Sequence, residues 1–594
     1  MTPHDLIPRE AAPRTQTPHD ARPADRHVTV RFAAASSGTG PLTRGQDNMI
    51  RCIRTSPPEQ INKDSVWPVP AGTSVPAALV ALRLLVERHE SLRTSFPVGP
   101  GPDGFPERQV VHPSGRFTVT VIETGDRDDG RLDAMAAESG RADVAVALDL
   151  TAAPRVRFTL LARGERLLRL IAVVCHAGAD GAATAVLIQD WHALAAGREL
   201  PPVTAPTPLR LAAAEQSDHG RRKAAAGLRH WARVLGAGPQ TVFADSRITG
   251  PPGDHSALMV RSRAGADHLA AVCRRVGASP SVVLLAAYAA LVAHRAGRRG
   301  ELVMSALSAN RHQAELVDHV GTLAQDALIL LDTAAADLDQ LIGRAKSASL
   351  KAYWHSILDA EKVWQLVEDL AHQRGSRFAR QVVVNDLSLT VPAAVADAQP
   401  AATADPELTP LPGPPLPVRL MFAILRITGS LDFVLVACPQ VLDPEEAENF
   451  TRALLALLAA AAEGPVLLAD LPAVLGAPAD GREGAGEGKG EWRLIDGSWI
   501  DLAAVRDLLH AALGDHRLTC TGAELVAEIT TADPGLDPAA AHRAVVAALP
   551  GRDTAMAPHR YVVRRATPDG EEVEAGNGRD PEVTARLSAL TGRA

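Results

Sequence analysis

The stretch with the strongest hold on the fold is LLRLIAVVCHAGADGAATAVLIQDWHALAAG, residues 167–197. Its first nine residues are almost all apolar and rich in branched side chains, as in a strand covered on both faces. From Gly181 onward an Ala-rich apolar run reads as a helix ended at Gly197. A buried strand that passes into a helix through a short polar turn requires a layer of sheet packed on a layer of helix. His176, Asp180 and Gly181 all fall on that turn.

The same alternation recurs along the chain. TSVPAALVALRLLVERHESLRTSF (73–96) has apolar residues at 75, 79, 82, 85 and 86, with Thr73 or Ser74 as N-cap and Pro76 in the first turn. After a Pro-rich bridge at 201–208, a helix at 266–276 is expected to end at Gly277. Ser279 and Pro280 then open a nearly all-apolar helix to about 296, and the strand ELVMSALS follows. Further strands are expected at 380–385 and within 418–438, before a helix from about 444 to 463. The fold class is layered α/β or α+β. No repeat of fixed period is present.

Residues 1–26 are rich in Pro, Arg, Asp and His, lack the apolar centre of a signal peptide, and read as a disordered leader. Residues 476–490 are Gly-rich and charged, the composition of a flexible linker. Beyond it, 491–594 read as a separate small domain, with a hairpin in WRLIDGSWIDL, helices at 502–513 and 538–548, and a strand near 524–530.

With 46% apolar and 22% charged residues, 594 residues suffice for two to four domains. A net charge of −8 without a long Lys/Arg block argues against nucleic acid as a partner. The longest apolar stretches fall short of the run of about 18 residues that spans a bilayer, so no membrane partner is expected. Five cysteines, widely spaced and with no CxxC pair, suggest neither a disulfide framework nor a zinc ribbon. The expected compartment is the reducing cytoplasm.

A histidine leaving a buried strand at a turn can present its ring to a cleft from a rigid base, where a general acid–base group is needed. Asp180 could orient the turn or the ring, and Gly181 would relieve crowding where the chain enters the helix. The plainer alternative makes His176 a half-buried turn residue and Asp180 an N-cap. A metal is not expected, because two ligands at this spacing leave a zinc site short of three. Cys175 should point to the opposite face from His176, into the core as a small apolar residue.

CHAGADG resembles the HHxxxDG signature of the condensation domains of nonribosomal peptide synthetases and their chloramphenicol-acetyltransferase-like relatives. Other segments resemble that family's motifs in order: PLTRGQDNM (41–49), ERHESLRTSF (87–96), 276–311 ending in Asn310–Arg311, HVGTLAQDALILL (319–331) and VVVNDLSL (382–389). The likeness covers roughly 27–475. It implies two acetyltransferase-like lobes, 27–205 and 206–475, forming a V-shaped pseudodimer with the histidine in a tunnel between them. His176 matches the family's second, central histidine, read there as a general base or as a group that positions the acceptor amine. The resemblance makes Asp180 structural and pairs it with Arg311; Asn310 and Arg93 would support the site, Arg93's alternative being a surface ion pair. Cys175 stands where the family has its first histidine, and Leu323 and Gln325 where it has Phe and Asn. Neither an EGHGRE-like epimerisation motif nor a DxxxxD cyclisation motif is present.

Residues 491–594 resemble the small C-terminal subdomain of adenylating enzymes, through WRLIDGSWIDLAAVRDLLHAAL, ALPGRDTAMAPHRYVV and GNGRDPEVTARL. The family's adenylate-forming lysine is here Arg579, and no large adenylation core precedes it. The resemblance implies a docking element for a carrier, for a separate adenylation protein or for the chain's own condensation body.

The function it implies is that of a free-standing acyltransferase. Such an enzyme joins a carrier-bound acyl or aminoacyl thioester to an amine, or less readily a hydroxyl, in natural-product or antibiotic biosynthesis. No cofactor would be bound permanently; a carrier protein acting in trans would deliver the 4'-phosphopantetheine arm. Rival readings are a non-catalytic recruitment module and an acyl-CoA-dependent acyltransferase.

Overall fold

The computed structural model describes residues 25–243, 248, 250, 252–297, 300–388, 405–414, 416–474, 491–567 and 570–591. The expected linker lies outside them, and so does the expected leader apart from Asp25 and Arg26, which open the first strand.

The chain groups into two units. The first runs to Arg222 and takes back residues 309–325. Its elements are β1 (Asp25–Ala33), β2 (Gly38–Pro41), α1 (Arg44–Thr55), α2 (Pro58–Ile61), β3 (Lys63–Trp67), α3 (Val75–Arg88), β4 (Thr94–Ser95), β5 (Arg108–Val111), β6 (Ser114–Glu123), α4 (Asp129–Val144), β7 (Val156–Arg163), β8 (Arg166–Val174), α5 (Gly181–Ala195) and α6 (Pro208–Glu215). Five strands form a sheet in the order β1-β6-β7-β8-β3. On one face α3 and α5 share a core with the sheet through Leu82, Leu85, Phe158, Leu187 and Trp191. On the other, Ala136 of α4 packs on Leu161 and Ile171. β8 is thus covered on both sides, as its unbroken apolar run requires. Ser74 caps α3 by accepting from the Ala77 N–H at 3.3 Å.

The second unit begins within α7 (Asp218–Ala237) and contains β9 (Ser256–Ser262), α8 (Arg263–Val276), α9 (Pro280–Arg295), β10 (Glu301–Ser308), β11 (Gln325–Asp332), α10 (Leu338–Trp354), α11 (Ala360–Arg374), β12 (Val382–Asp386), β13 (Glu407–Pro412), β14 (Leu420–Arg426), β15 (Leu431–Ala437), α12 (Pro444–Glu463) and α13 (Leu471–Val474). Its seven strands are ordered β11-β10-β12-β14-β15-β9-β13, with β10, β12 and β14 parallel. Gly277 ends α8 with φ of 63°, a left-handed cap that glycine adopts without strain. Every residue of α9 from Val283 to Ala293 is buried, which accounts for its nearly all-apolar sequence. Among the described residues no single helix is long and apolar enough to cross a membrane.

Residues 491–591 add β16 (Trp492–Ile495), β17 (Ser498–Asp501), α14 (Leu502–Leu513), β18 (His516–Thr521), β19 (Glu524–Thr531), α15 (Pro538–Ala547), β20 (Arg560–Thr567), β21 (Gly570–Gly576) and α16 (Pro581–Thr591). The β16–β17 hairpin turns through Asp496 and Gly497, both at positive φ as a two-residue hairpin loop demands. The piece has its own core, built around Val505, Leu509, Ile529 and Tyr561.

Two expected boundaries are corrected by these contacts. The first unit extends past 205 to Arg222 and reclaims 309–325, which is held by Leu323 and Ala324 N–H groups donating to Asp180 and by His319 on the Pro206 carbonyl. The C-terminal piece groups with the second unit, because Val583 and Leu587 of α16 enter a core with Trp231, Leu366 and Leu370. Polar contacts reinforce this. Arg586 pairs with Asp369 at 2.8 Å, Arg374 with Asp496 at 2.6 Å, and the fully buried Arg419 with Asp553 at 3.1 Å. Arg579 donates to the carbonyls of Gln373 (2.6 Å) and His559 (3.2 Å).

His542 sits in this junction, fully buried. Its Nε2 donates to the His372 carbonyl at 2.8 Å and its Nδ1 faces the Tyr561 hydroxyl at 3.1 Å. Burial lowers its pKa to about 4, the carbonyl of His372 opposing the shift. A histidine depressed in the folded state stabilises fully above its unfolded value of about 6.5 and loses that contribution as pH falls toward 4. Acidification from pH 7 to 4.5 should therefore weaken the C-terminal attachment by up to about 3 kcal/mol. Limited proteolysis across that range should show 491–591 released first, and His542→Gln should flatten the pH dependence.

Candidate active site

β8 stops at Val174 because the Cys175 carbonyl closes a turn, accepting from the N–H groups of Gly178 (2.8 Å) and Ala179 (3.1 Å). His176 lies within that turn. The Cys175 side chain is buried in an apolar cluster with Leu42, Ile50, Phe96 and Ala177, so it serves as a small core residue.

The tight glycine of the turn is Gly178, not Gly181. A Cβ at 178 would stand 2.9 Å from the Arg155 Cβ, whereas one at 181 would meet nothing within 4 Å. The expectation that Gly181 relieves crowding is corrected: it is an exposed first-turn residue of α5 with open space beside it.

Asp180 unites the two expectations for it, cap and ion pair. It is the N-cap of α5, accepting from Ala183 N at 2.9 Å, and it pairs bidentately with Arg311 at 2.8 and 2.9 Å. It also accepts from the backbone N–H groups of Leu323 (2.8 Å) and Ala324 (3.0 Å). Five donors thus converge on one carboxylate whose side chain is 1% exposed. Burial alone would push this carboxyl up; the Arg311 guanidinium and the N–H groups of Ala183 and Leu323 reverse that and hold it below the usual carboxylate range. Asp180 consequently stitches the 309–325 segment to the start of α5. Asn310 completes the stitch from a positive φ of 53°, donating to the Leu323 carbonyl at 2.9 Å.

Among the described residues, none of the five hydrogen bonds on Asp180 involves the His176 ring. The ring is part-buried, and its Nδ1 is buried without a well-formed hydrogen bond. Burial lowers the imidazole pKa below its ordinary value; Asp180 opposes the shift and Lys63 adds to it. The ring is therefore neutral near pH 7 and able to accept a proton.

Arg93 is 1% exposed, so the surface-pair alternative is corrected. It donates to Ser36 O and Oγ at 2.6 and 2.5 Å and to the His112 carbonyl at 2.8 Å, bracing loops beside the turn. The residue of the same motif that reaches the turn is Ser91, whose hydroxyl donates to the Gly178 carbonyl. His89 and Arg88 hold Asp190 of α5, each at 2.8 Å. Sequence reading missed Ser91 because a serine in a short turn carries no periodic signal, although its place between two motif residues marks the segment. Leu323 packs with Leu211 and Leu316, and Gln325 is buried at the head of β11.

A family model described as Condensation domain matches residues 73–469. Surfactin synthase subunit 1 of Bacillus subtilis is 28% identical over 301 residues, 49% of this chain and 8% of that protein. The chain thus spans only a small fraction of that relative. Among solved structures, the condensation domain from the Monacolin K polyketide synthase MokA superposes with a TM-score of 0.59 at 17% identity, covering 73% of this chain and 99% of that one. The complex of the X-domain and OxyB from teicoplanin biosynthesis gives 0.54 at 23%, covering 74% and 97%. Both likenesses establish the fold, mixed α/β of the chloramphenicol-acetyltransferase type.

Proposed function

Because the chain belongs to the condensation-domain family, we propose that it is an acyltransferase that joins a carrier-tethered acyl or aminoacyl thioester to an amine acceptor. The observation that carries this reading is His176, a neutral imidazole on a turn whose geometry is fixed by other residues. The amine nitrogen attacks the thioester carbonyl, the C–N bond forms, and the C–S bond breaks to release the thiol of the phosphopantetheine arm. His176 takes the proton from the attacking nitrogen and returns it to the departing sulfur, or holds the amine so that this exchange can occur. The arm is substrate here, brought by its carrier. Asp180, Arg311, Asn310 and Ser91 act on the position of the turn and Arg93 on the loops beside it, without contact with reacting atoms.

In this reading the C-terminal piece serves the chain's own condensation body. Arg579, at the position of the adenylating family's lysine, is engaged with the Gln373 and His559 carbonyls, which favours a fastening role over adenylate chemistry. A non-catalytic recruitment role is the second reading, favoured by the buried Cys175 in place of the family's first histidine and by the likeness to the X-domain found in complex with OxyB.

The test compares one acyl group presented in two ways, as a carrier-bound thioester and as its CoA thioester, with a panel of amines and an alcohol. Amide formation should depend on the carrier and exceed that from CoA by at least an order of magnitude. Equal use of CoA would make the protein a soluble-donor acyltransferase, and no transfer from either would favour recruitment.

A further inference from the structure

A second buried histidine of the first unit, His319, sits in the 309–325 segment and is 1% exposed. Its Nδ1 lies 2.6 Å from the Pro206 carbonyl. A carbonyl only accepts, so Nδ1 carries the proton and the lone pair of the neutral ring stands on Nε2. That nitrogen faces Gly321: a Cβ built there would stand 2.3 Å from Nε2 and 3.2 Å from the two ring carbons beside it. The Cβ direction of a glycine is that of a Cα–H bond, so Nε2 meets a C–H group and not an acceptor. Gly321 in turn is joined to the His176 turn. Its carbonyl accepts from Arg311 Nη2 at 3.4 Å and from the backbone N–H of Asp180 at 3.5 Å, and Arg311 also donates to the His319 carbonyl at 3.2 Å. Leu316 and Leu323 rest on Leu211 of α6, so the segment is packed as well as bonded on the side of the 201–208 bridge.

We propose that His319 is a positioning residue for the transfer reaction, its neutral ring fastening the 309–325 segment to the Pro206 carbonyl. The fastening sets Arg311 and Gly321 against Asp180 and so fixes the attitude of the His176 turn; protonation of the ring releases it. This rests on the reading of His176 given above and adds to it an acid-labile support outside the reacting groups. The charged groups that face the ring are Arg311, on its own segment, and Asp180, at the head of α5, already engaged with each other. From the bridge side the ring meets the Pro206 carbonyl. A second proton, on Nε2, would find no acceptor at Gly321, and its charge would add to that of the Arg311 guanidinium. The ring therefore has to leave its place to become charged. The titration agrees: burial is the main cause lowering the imidazole pKa, Arg311 adds to it, and the Pro206 bond and Asp180 oppose it. A histidine depressed in this way supports the folded arrangement fully above its unfolded value of about 6.5 and loses that support as pH falls below it.

The experiment follows hydrogen exchange of the 309–325 peptides in the full chain, corrected for the intrinsic rate at each pH, beside the kinetics of transfer. Exchange elsewhere in the first unit reports whether each variant is folded. In the native chain the protection of this segment should fall between about pH 7.5 and 5.5. His319→Phe keeps a ring but offers Pro206 no donor. At neutral pH it should lower protection roughly tenfold and kcat by roughly ten- to a hundredfold, with KM little changed. Gly321→Ala, whose Cβ would drive the ring from its place, should loosen the segment with the histidine still present. His319→Asn sets an amide N–H where Nδ1 stands and takes up no proton. It should restore both protection and kcat at neutral pH and keep protection level into the acid range. A His319→Phe or Gly321→Ala chain protected as well as the native one overturns the proposal. So does a His319→Asn chain as loose as His319→Phe or as acid-sensitive as the native protein. Protection lost with kcat unmoved overturns the positioning role. The expected protection series in a chain that transfers nothing supports the fastening and counts against the transfer reaction itself, so the two failures separate.

Discussion

Asp180→Ala should lower the free energy of unfolding of the first unit by about 3–5 kcal/mol, the cost of stranding a buried charge. The carboxylate accepts five hydrogen bonds, two of them from Arg311, whose side chain is 8% exposed. Alanine leaves that guanidinium without its counter-charge, removes the cap of α5, and orphans the N–H groups of Leu323 and Ala324. Asp180→Asn retains the cap but not the charge and should fall between the two. The double variant Asp180→Ala, Arg311→Leu should recover a large part of the loss, because the penalty lies in the unpaired guanidinium and not in the absence of the pair. Denaturant titration of the three variants measures the series directly. A double variant as unstable as Asp180→Ala would mean that the cap and the 309–325 contacts, not the charge, dominate.

His176→Ala should behave in the opposite way. Its ring is only part-buried and makes no well-formed hydrogen bond through Nδ1, so the thermal midpoint should stay within a degree or two of the native value. Transfer, in contrast, should drop by about 10²–10⁴-fold, the usual worth of a positioned acid–base group. Position 180 thus tests the scaffold of the turn and position 176 its chemistry. Rates and melting curves on the same preparations separate them.

What the sequence discloses follows from how local each feature is. The Ser-Pro opening of α9, the Asp-Gly turn of the C-terminal hairpin and the helix Pro444–Glu463 were legible because cap, turn and periodicity all lie within a few neighbouring residues. The strand before His176 was legible because burial on both faces forces an unbroken apolar run. The pairing of Asp180 with Arg311, 131 positions away, is invisible to periodicity and came only from the family likeness. That Gly178 and not Gly181 is the crowded glycine depends on Arg155, just ahead of β7, lying against the turn that follows β8. The attachment of 491–591 was likewise hidden, because its buried contacts are spread singly over Asp369, Gln373, Arg374 and Arg419.

The most direct test of the account follows product in the native pathway after His176→Ala is introduced into the chromosomal gene, with circular dichroism of the purified variant confirming the fold. The expected result is loss of the end product together with an uncondensed acyl or aminoacyl group retained on its carrier, its mass identifying the donor. Continued production at the native level would contradict the account, leaving His176 a residue of the turn and the protein a recruitment module.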